Sequence, residues 1–422
     1  MALFLTLLSI SLGYFSPAEL IPALAPVHIQ IFILGTAVLI SLITFDMNRG
    51  GLKSTQTVLM GVFWFAIVMS MLTKGYLGGS LAAFLDFALI VGVYLLVVMN
   101  AYSLKRISLF CRVISLCAVV MALEAIAARF TGFQADKLVL SYGPPDALFL
   151  RVMGYGVLSD PNDFAQFLLI GLAFLGVAWR KGNPIRNLTS VLIPGSILIF
   201  TIYLTGSRGA IFGLAAIAFT MFSRRKGLKK AAILTGGMFA LFIIAGFGRG
   251  GDISLHEGSA AGRVMAWGSG ISQLRTNPLF GVGFNRFTEY NDLTAHNSFV
   301  LCFAENGFFG YFPWIALIVT SVLGLEAMNK IPVVTPDDAD FSRCLNAVRA
   351  GLYTFLATAW FLSRTYQQTL YIILALAAVL ICLRRTQFPE IDLPVVNWAP
   401  RAVLVSVFSV VAIYVTIRLR AF

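Results

Sequence analysis

Charge is scarce in this chain. Only 12% of its 422 residues are Asp, Glu, Lys or Arg, against 59% that are hydrophobic, which is too apolar for a water-soluble domain or a disordered chain. Cysteine occurs five times and histidine three times. The cysteines form no Cys-x-x-Cys pair, so the sequence implies neither a disulfide framework nor a metal–thiolate site. No unit repeats at a fixed period and no low-complexity linker divides the chain, which excludes solenoids and strings of separate domains. The N-terminus has no basic leader before its apolar run, so residues 2–16 read as a retained span or anchor.

What the chain does have is apolar runs of roughly 15 to 22 residues from end to end, each long enough to cross a bilayer as a helix. They fall at about 2–16, 28–45, 57–73, 80–101, 107–128, 161–179, 189–205, 209–222, 231–248, 308–328, 348–363, 369–383 and 402–417. The expected fold is therefore an all-α polytopic membrane protein with about twelve transmembrane helices, thirteen if both short terminal runs span. It forms one integral membrane domain over residues 1–422. Two segments outside the spans are too long to be turns: about 129–160, and about 249–307 between the ninth and tenth predicted spans. Ser159-Asp160-Pro161 closes the first of them and reads as a helix start, with Ser or Asp as N-cap and Pro in the first turn.

Basic residues set the orientation, because loops on the cytoplasmic side retain an excess of them. With the N-terminus inside, most of the 31 Lys and Arg fall on one side, among them Lys105, Arg112, Arg180, Arg343 and the run from Arg224 to Lys230. They are spread over short loops and not gathered on one face, so the net charge of +12 reads as a topology signal and contact with membrane lipids, not nucleic-acid binding. Lys74, Arg129, Lys137, Arg151, Arg208, Arg249, Arg263, Arg275, Arg286 and Arg364 remain on the opposite, outer side, with Arg418 and Arg420 if the final run spans. Charge placed against the topological tendency beside a bilayer marks a candidate functional site.

Thr205-Gly206-Ser207-Arg208-Gly209 forms a tight outer turn in which Ser207 is expected to cap the next helix. Helix N-terminal amides beside a guanidinium suit a phosphate. The alternative use of Arg208 is snorkelling at a helix end. Arg263 and Trp267, four apart, share a helical face, in a site or in an interfacial helix with Trp at headgroup level. Asn277-Pro278-Leu279-Phe280-Gly281-Val282-Gly283 reads as a loop of little side-chain bulk. His296 precedes Asn297 and Ser298 at an expected helix start, where a neutral imidazole can accept a hydroxyl proton. If residues 296–306 form one helix, Glu305 lies on the face opposite His296, and its expected partner is an arginine from another helix. Asp338-Ala339-Asp340 has the spacing of an Asp-x-Asp metal motif but falls in a cytoplasmic loop, away from these residues.

In order, Gly-Ser-Arg-Gly (Gly206 to Gly209), Gly-Arg-x-x-x-Trp (Gly262 to Trp267), Asn-Pro-x-x-Gly-x-Gly-x-x-x-Phe (Asn277 to Phe287), Ala-His-Asn-Ser (Ala295 to Ser298) and Glu-x-Gly (Glu305 to Gly307) resemble the O-antigen ligase superfamily. The resemblance implies a metal-independent glycosyltransferase of the bacterial inner membrane that needs no cofactor. It takes a glycan from undecaprenyl diphosphate at the periplasmic face, and in the ligases the acceptor is a sugar hydroxyl of the lipid A core. The outer segments then become a smaller and a large periplasmic loop, the large one carrying part of the active site. Arg208 and Arg263 match the arginines thought to hold the diphosphate, and His296 matches the histidine proposed to activate the acceptor. Ser207, Arg151, Asn297, Glu305, Arg286 and Trp267 complete the expected substrate-binding set, with no metal site.

Asp160-Pro161-Asn162-Asp163 is more typical of the polymerase-like members, which leaves polymerisation of O-antigen or exopolysaccharide units on a growing glycan open as the alternative. A flippase for lipid-linked oligosaccharide is a third reading. It would place charges at mid-span depth, whereas the spans here are nearly free of charge, with Asp86 and Glu124 the main exceptions.

Overall fold

The computed structural model describes residues 1–21, 23, 28–44, 51–142, 148–227, 230, 233, 235–237, 254–332, 334–387 and 397–420. In chain order the main elements are α1 (Ala2–Phe15), α2 (Ile29–Ile43), α3 (Thr55–Leu72), α4 (Leu77–Asn100), α5 (Leu104–Thr131), β1 (Val139–Tyr142), β2 (Phe149–Val152), α6 (Pro161–Ala178), α7 (Pro184–Leu204), α8 (Gly209–Lys226), α9 (Ser254–Thr276), α10 (Ser298–Asn329), α11 (Pro336–Ala359), α12 (Gln368–Gln387) and α13 (Trp398–Arg420). Among the described residues, eight are long and apolar enough to cross a membrane: α3 to α7, α10, α12 and α13. Three more, α1, α2 and the stretch Gly209–Ser223 of α8, are apolar but shorter. The predicted span at 231–248 lies mostly outside the described residues.

The chain divides into two compact units. The first comprises Met1–Asp46, Met99–Gly248 and Met328–Thr358; the second comprises Met47–Val98, Arg249–Ala327 and Ala359–Phe422. In the first unit polar side chains tie apolar helices together, since a hydroxyl or amide facing hydrocarbon needs a partner within the protein. Asn100, buried at the end of α4, donates to Thr6 of α1 at 3.2 Å and to Ser41 of α2 at 2.9 Å. Ser115 of α5 donates to the Gly171 carbonyl of α6 at 2.9 Å. Asp160 caps α6, accepting from the amides of Asn162 and Asp163 with Pro161 in the first turn, as the sequence leads one to expect.

In the second unit α3, α4 and α12 interlock through rings. Phe63 and Phe87 meet edge to face at 5.4 Å, and Phe87 meets Tyr371 in the same way at 5.5 Å. On α13, Ser409 bonds Tyr311 of α10 at 2.7 Å.

Two elements depart from expectation. The expected outer segment 129–160 contains the antiparallel hairpin β1–β2, with Leu140 opposite Arg151. And the span expected at 348–363 ends instead at Ala359, its helix having started at Pro336. A reciprocal cap explains the early start: the Asp338 carboxylate accepts from the Thr335 amide at 2.9 Å while Thr335 Oγ1 accepts from the Asp338 amide at 3.1 Å. Asp338 is thus a capping residue and Asp340 pairs with Arg343, which accounts for the Asp-x-Asp spacing without a metal.

Candidate functional site

The candidate residues fall into two clusters, one in each unit. In the first, the Thr205–Arg208 turn joins α7 to α8, with Gly206 at φ 61° and Arg208 exposed at its end. Ser207 does not cap α8 as expected. Arg208 takes the cap position with helical angles (φ −68°, ψ −33°) and without a side-chain cap bond, whereas a capping side chain needs an extended backbone at that position.

Arg151 of β2 fixes this turn. Its Nε donates to the Thr205 carbonyl at 2.6 Å, its Nη2 donates to Asn162 Oδ1 at 3.1 Å, and its guanidinium stands 5.7 Å from the Tyr142 ring. One side chain thereby links the hairpin, the capped start of α6 and the Gly-Ser-Arg-Gly turn. Burial lowers the Arg151 pKa, Tyr142 and Asp160 pull it back, and the neighbouring Arg208 guanidinium lowers it further. Arg151, expected to touch substrate, uses one donor on the turn that carries Arg208 and another on the start of α6.

The second cluster is built on α9. Arg263 is half-buried and Trp267, one turn later, is buried. The Trp267 indole N–H donates to the Ala295 carbonyl at 3.0 Å, and its ring meets Trp360 edge to face at 6.2 Å. An indole used this way is an internal anchor and not a headgroup-level one. Ala295 is the residue before His296.

His296 has φ 45°, in the left-handed region. Asn297 then caps α10, its carboxamide oxygen accepting from the amides of Phe299 and Val300 at 2.9 and 3.1 Å. His296 therefore lies outside the helix, and the helical-wheel argument that set it opposite Glu305 does not apply. Asn297, fully buried, shapes the backbone beside His296. The segment 362–365 straps the same stretch: Ser298 donates to the Leu362 carbonyl at 2.6 Å and accepts from the Arg364 amide at 2.8 Å, and Thr365 Oγ1 donates to the Ser298 carbonyl at 2.7 Å.

Two sequence motifs prove to be one structural device. α10 is broken at Gly307 (φ 58°, ψ −167°), and the loop from Asn277 to Gly283 docks backbone to backbone on the break. Amides of Val282 and Gly283 donate to the carbonyls of Ala304 and Glu305, and those of Phe308 and Phe309 donate to the carbonyls of Pro278 and Leu279, all at 2.8–2.9 Å. A Cβ at Gly307 would lie 2.3 Å from Leu279 O, and one at Gly281 would lie 2.3 Å from the Glu305 carbonyl carbon. Only glycine admits that approach, and both positions also have positive φ.

Glu305, 1% exposed, sits on this break. Its carboxylate accepts from Tyr366 Oη at 2.7 Å and from the Phe287 amide at 3.0 Å, with the amides of Asn285 and Arg286 also turned towards it. Tyr366 and the loop amides hold it in place of the expected arginine. Burial, with Glu305 beside it, keeps the Tyr366 pKa well above the ordinary phenol value, so its hydroxyl stays a donor. Tyr366 also accepts from Asn306 Nδ2 at 2.6 Å. Nothing in the spacing of the motifs signals it.

Arg286, the remaining candidate, pairs with Glu289 at 2.6 Å. Its hydrogen bond to Glu289 raises its pKa, and the same bond lowers that of Glu289. Lys74 of the same unit donates to Asn277 Oδ1. Burial lowers its pKa and the Arg286 charge adds to the effect.

Residues 193–315 match the O-antigen ligase family. That segment is similar to the O-antigen ligase domain. It holds all five motifs, from the Gly206 turn to Gly307, and supports ligase- or polymerase-type chemistry on lipid-linked glycans within a multi-pass membrane protein. Arg151 and the 362–366 strap lie outside it, although their hydrogen bonds position residues within it. No curated protein matches the chain.

Proposed function

We propose that this protein transfers a glycan from undecaprenyl diphosphate to a sugar hydroxyl at the periplasmic face of the bacterial inner membrane, and that the acceptor is the lipid A core. The acceptor oxygen attacks the anomeric carbon as His296 takes its proton. The bond from that carbon to the diphosphate oxygen breaks, and the undecaprenyl diphosphate leaves with the electron pair. Arg208 and Arg263 are each assigned to the diphosphate by the motifs that carry them, and a cation so placed offsets the charge that grows on the leaving group. A base near neutral pH is the natural role of an imidazole at such a point.

The observation that carries the reading is the backbone of His296. A non-glycine residue in the left-handed region is strained by about 1–3 kcal/mol and persists only where its surroundings hold it. Here the Trp267 anchor on Ala295 precedes it and the Asn297 cap follows it. Arg263 is one turn from that anchor on the same helix face.

The test is reconstitution of the purified protein with an undecaprenyl diphosphate glycan and lipid A core. Glycan attached to the core supports the ligase. Growth of the lipid-linked chain supports polymerisation in its place. Movement of the glycan across the bilayer with neither product would overturn the enzyme reading.

A further inference from the structure

In the first unit α6 starts at Asp160 beside the Arg151–Arg208 cluster and, at 1.5 Å per residue, ends about 27 Å away. At this far end is a cavity of about 290 Å³. Lys105, Ser108 and Arg112 of α5, Arg180 just after α6, and Asp340 and Arg343 of α11 line it. Four cations thus meet one carboxylate, and that carboxylate is engaged with Arg343.

A basic residue that serves only as a topology signal extends into water. Two of these do not. Arg180 turns back to the carbonyls of Val177 and Trp179 at 3.0 and 3.1 Å. Burial lowers its pKa, and the charges of Arg186 and Arg112 lower it further. Arg343 responds in the same way, first to burial and then to the Arg180, Arg186 and Arg112 charges, with the Cys344 thiol opposing. The like charges therefore face a shared space in which they disfavour one another. Independently, the Ser108 hydroxyl oxygen is buried at this cavity with no hydrogen-bond partner in the protein. A buried hydroxyl without a protein partner has a donor to offer to whatever occupies the space beside it.

We propose that this cavity binds a phosphate group, carried either by an anionic phospholipid headgroup or by a soluble phosphate. Guanidinium forks match phosphate oxygens with paired donors, the Ser108 hydroxyl adds a neutral donor, and a bound anion would relieve the repulsion among the cations. Basic pockets at the ends of membrane helices take phosphate headgroups on this principle. The proposal is independent of the glycosyl-transfer reading.

The experiment uses the full chain, delipidated in non-ionic detergent and titrated separately with phosphatidylglycerol, phosphatidylcholine and inorganic phosphate. Saturable binding of phosphatidylglycerol but not phosphatidylcholine identifies the headgroup source; saturable binding of inorganic phosphate identifies the soluble one. Either supports the site if Arg112→Gln weakens binding about tenfold while Lys53→Gln, which removes the same charge from the other unit, leaves it unchanged. Ser108→Ala, which leaves every charge in place, is expected to weaken it several-fold and serves if Arg112→Gln does not fold. Absence of saturable binding by either probe, or an equal loss in Lys53→Gln, would overturn the proposal.

Discussion

Replacing Trp267 by Phe isolates the anchor that precedes His296. The substitution keeps an aromatic ring against Trp360 and deletes one donor, the indole N–H that meets the Ala295 carbonyl at 3.0 Å. Ala295 is fully buried, so its carbonyl loses a partner that water does not readily replace. Such a loss costs about 1–3 kcal/mol. If the anchor also fixes His296, the same energy holds the imidazole in its working position. At about 1.4 kcal/mol per tenfold, that corresponds to a loss of roughly 5- to 150-fold in the transfer rate. The assay is single-turnover transfer at saturating donor beside thermal unfolding of the same preparation. We expect the rate to fall by that factor and donor affinity to stay near wild type. A variant that is less stable yet transfers at the wild-type rate would refute the reasoning, because the anchor would then serve the fold alone.

Three further substitutions probe the frame around the site. Gly307→Ala sets a methyl group 2.3 Å from the Leu279 oxygen at positive φ; strain of about 1–3 kcal/mol should appear as a clear drop in the unfolding midpoint, and an unchanged midpoint would mean that the docked loop gives way freely. Tyr366→Phe removes the 2.7 Å donor to the buried Glu305 carboxyl group and is expected to cost about 1–3 kcal/mol, the cost of leaving a buried acceptor without its donor, measured by denaturant or thermal unfolding. Arg151→Lys cannot keep both the Thr205 and Asn162 bonds, since an ammonium lacks the guanidinium fork; KM for the donor should rise with kcat nearly constant, and an unchanged KM would separate Arg151 from the placement of Arg208.

Much of the helical frame was legible from hydropathy. The runs at 57–73, 80–101 and 107–128 correspond within a few residues to α3, α4 and α5, because apolar length is the property a bilayer selects. The departures have local causes. α11 begins early because Thr335 and Asp338 cap one another, and a hydropathy window does not register a cap. Residue type suggests a capping role for Ser207, but capping depends on the backbone angles of the turn, and Arg208 is already helical.

The site was legible as an ordered set of motifs and not as an arrangement. The Asn277–Gly283 loop and the Glu305–Gly307 motif lie some twenty residues apart, and only their backbone hydrogen bonds reveal why both need glycine. The partner of Glu305 is not legible in the sequence because Tyr366 lies sixty-one residues further on, just beyond a stretch that reads as a membrane span. Arg151 depends on the hairpin register for its reach to Thr205, and a four-residue strand leaves little trace in composition.

The role of His296 is the centre of the account. Donor binding and glycan transfer should be measured together in proteoliposomes for wild type, His296→Ala and Arg208→Ala. The account predicts that His296→Ala binds the undecaprenyl diphosphate donor as wild type does but transfers at least a hundredfold more slowly, in line with the loss of a general base, and that Arg208→Ala loses donor binding as well. Transfer by His296→Ala at the wild-type rate would contradict it.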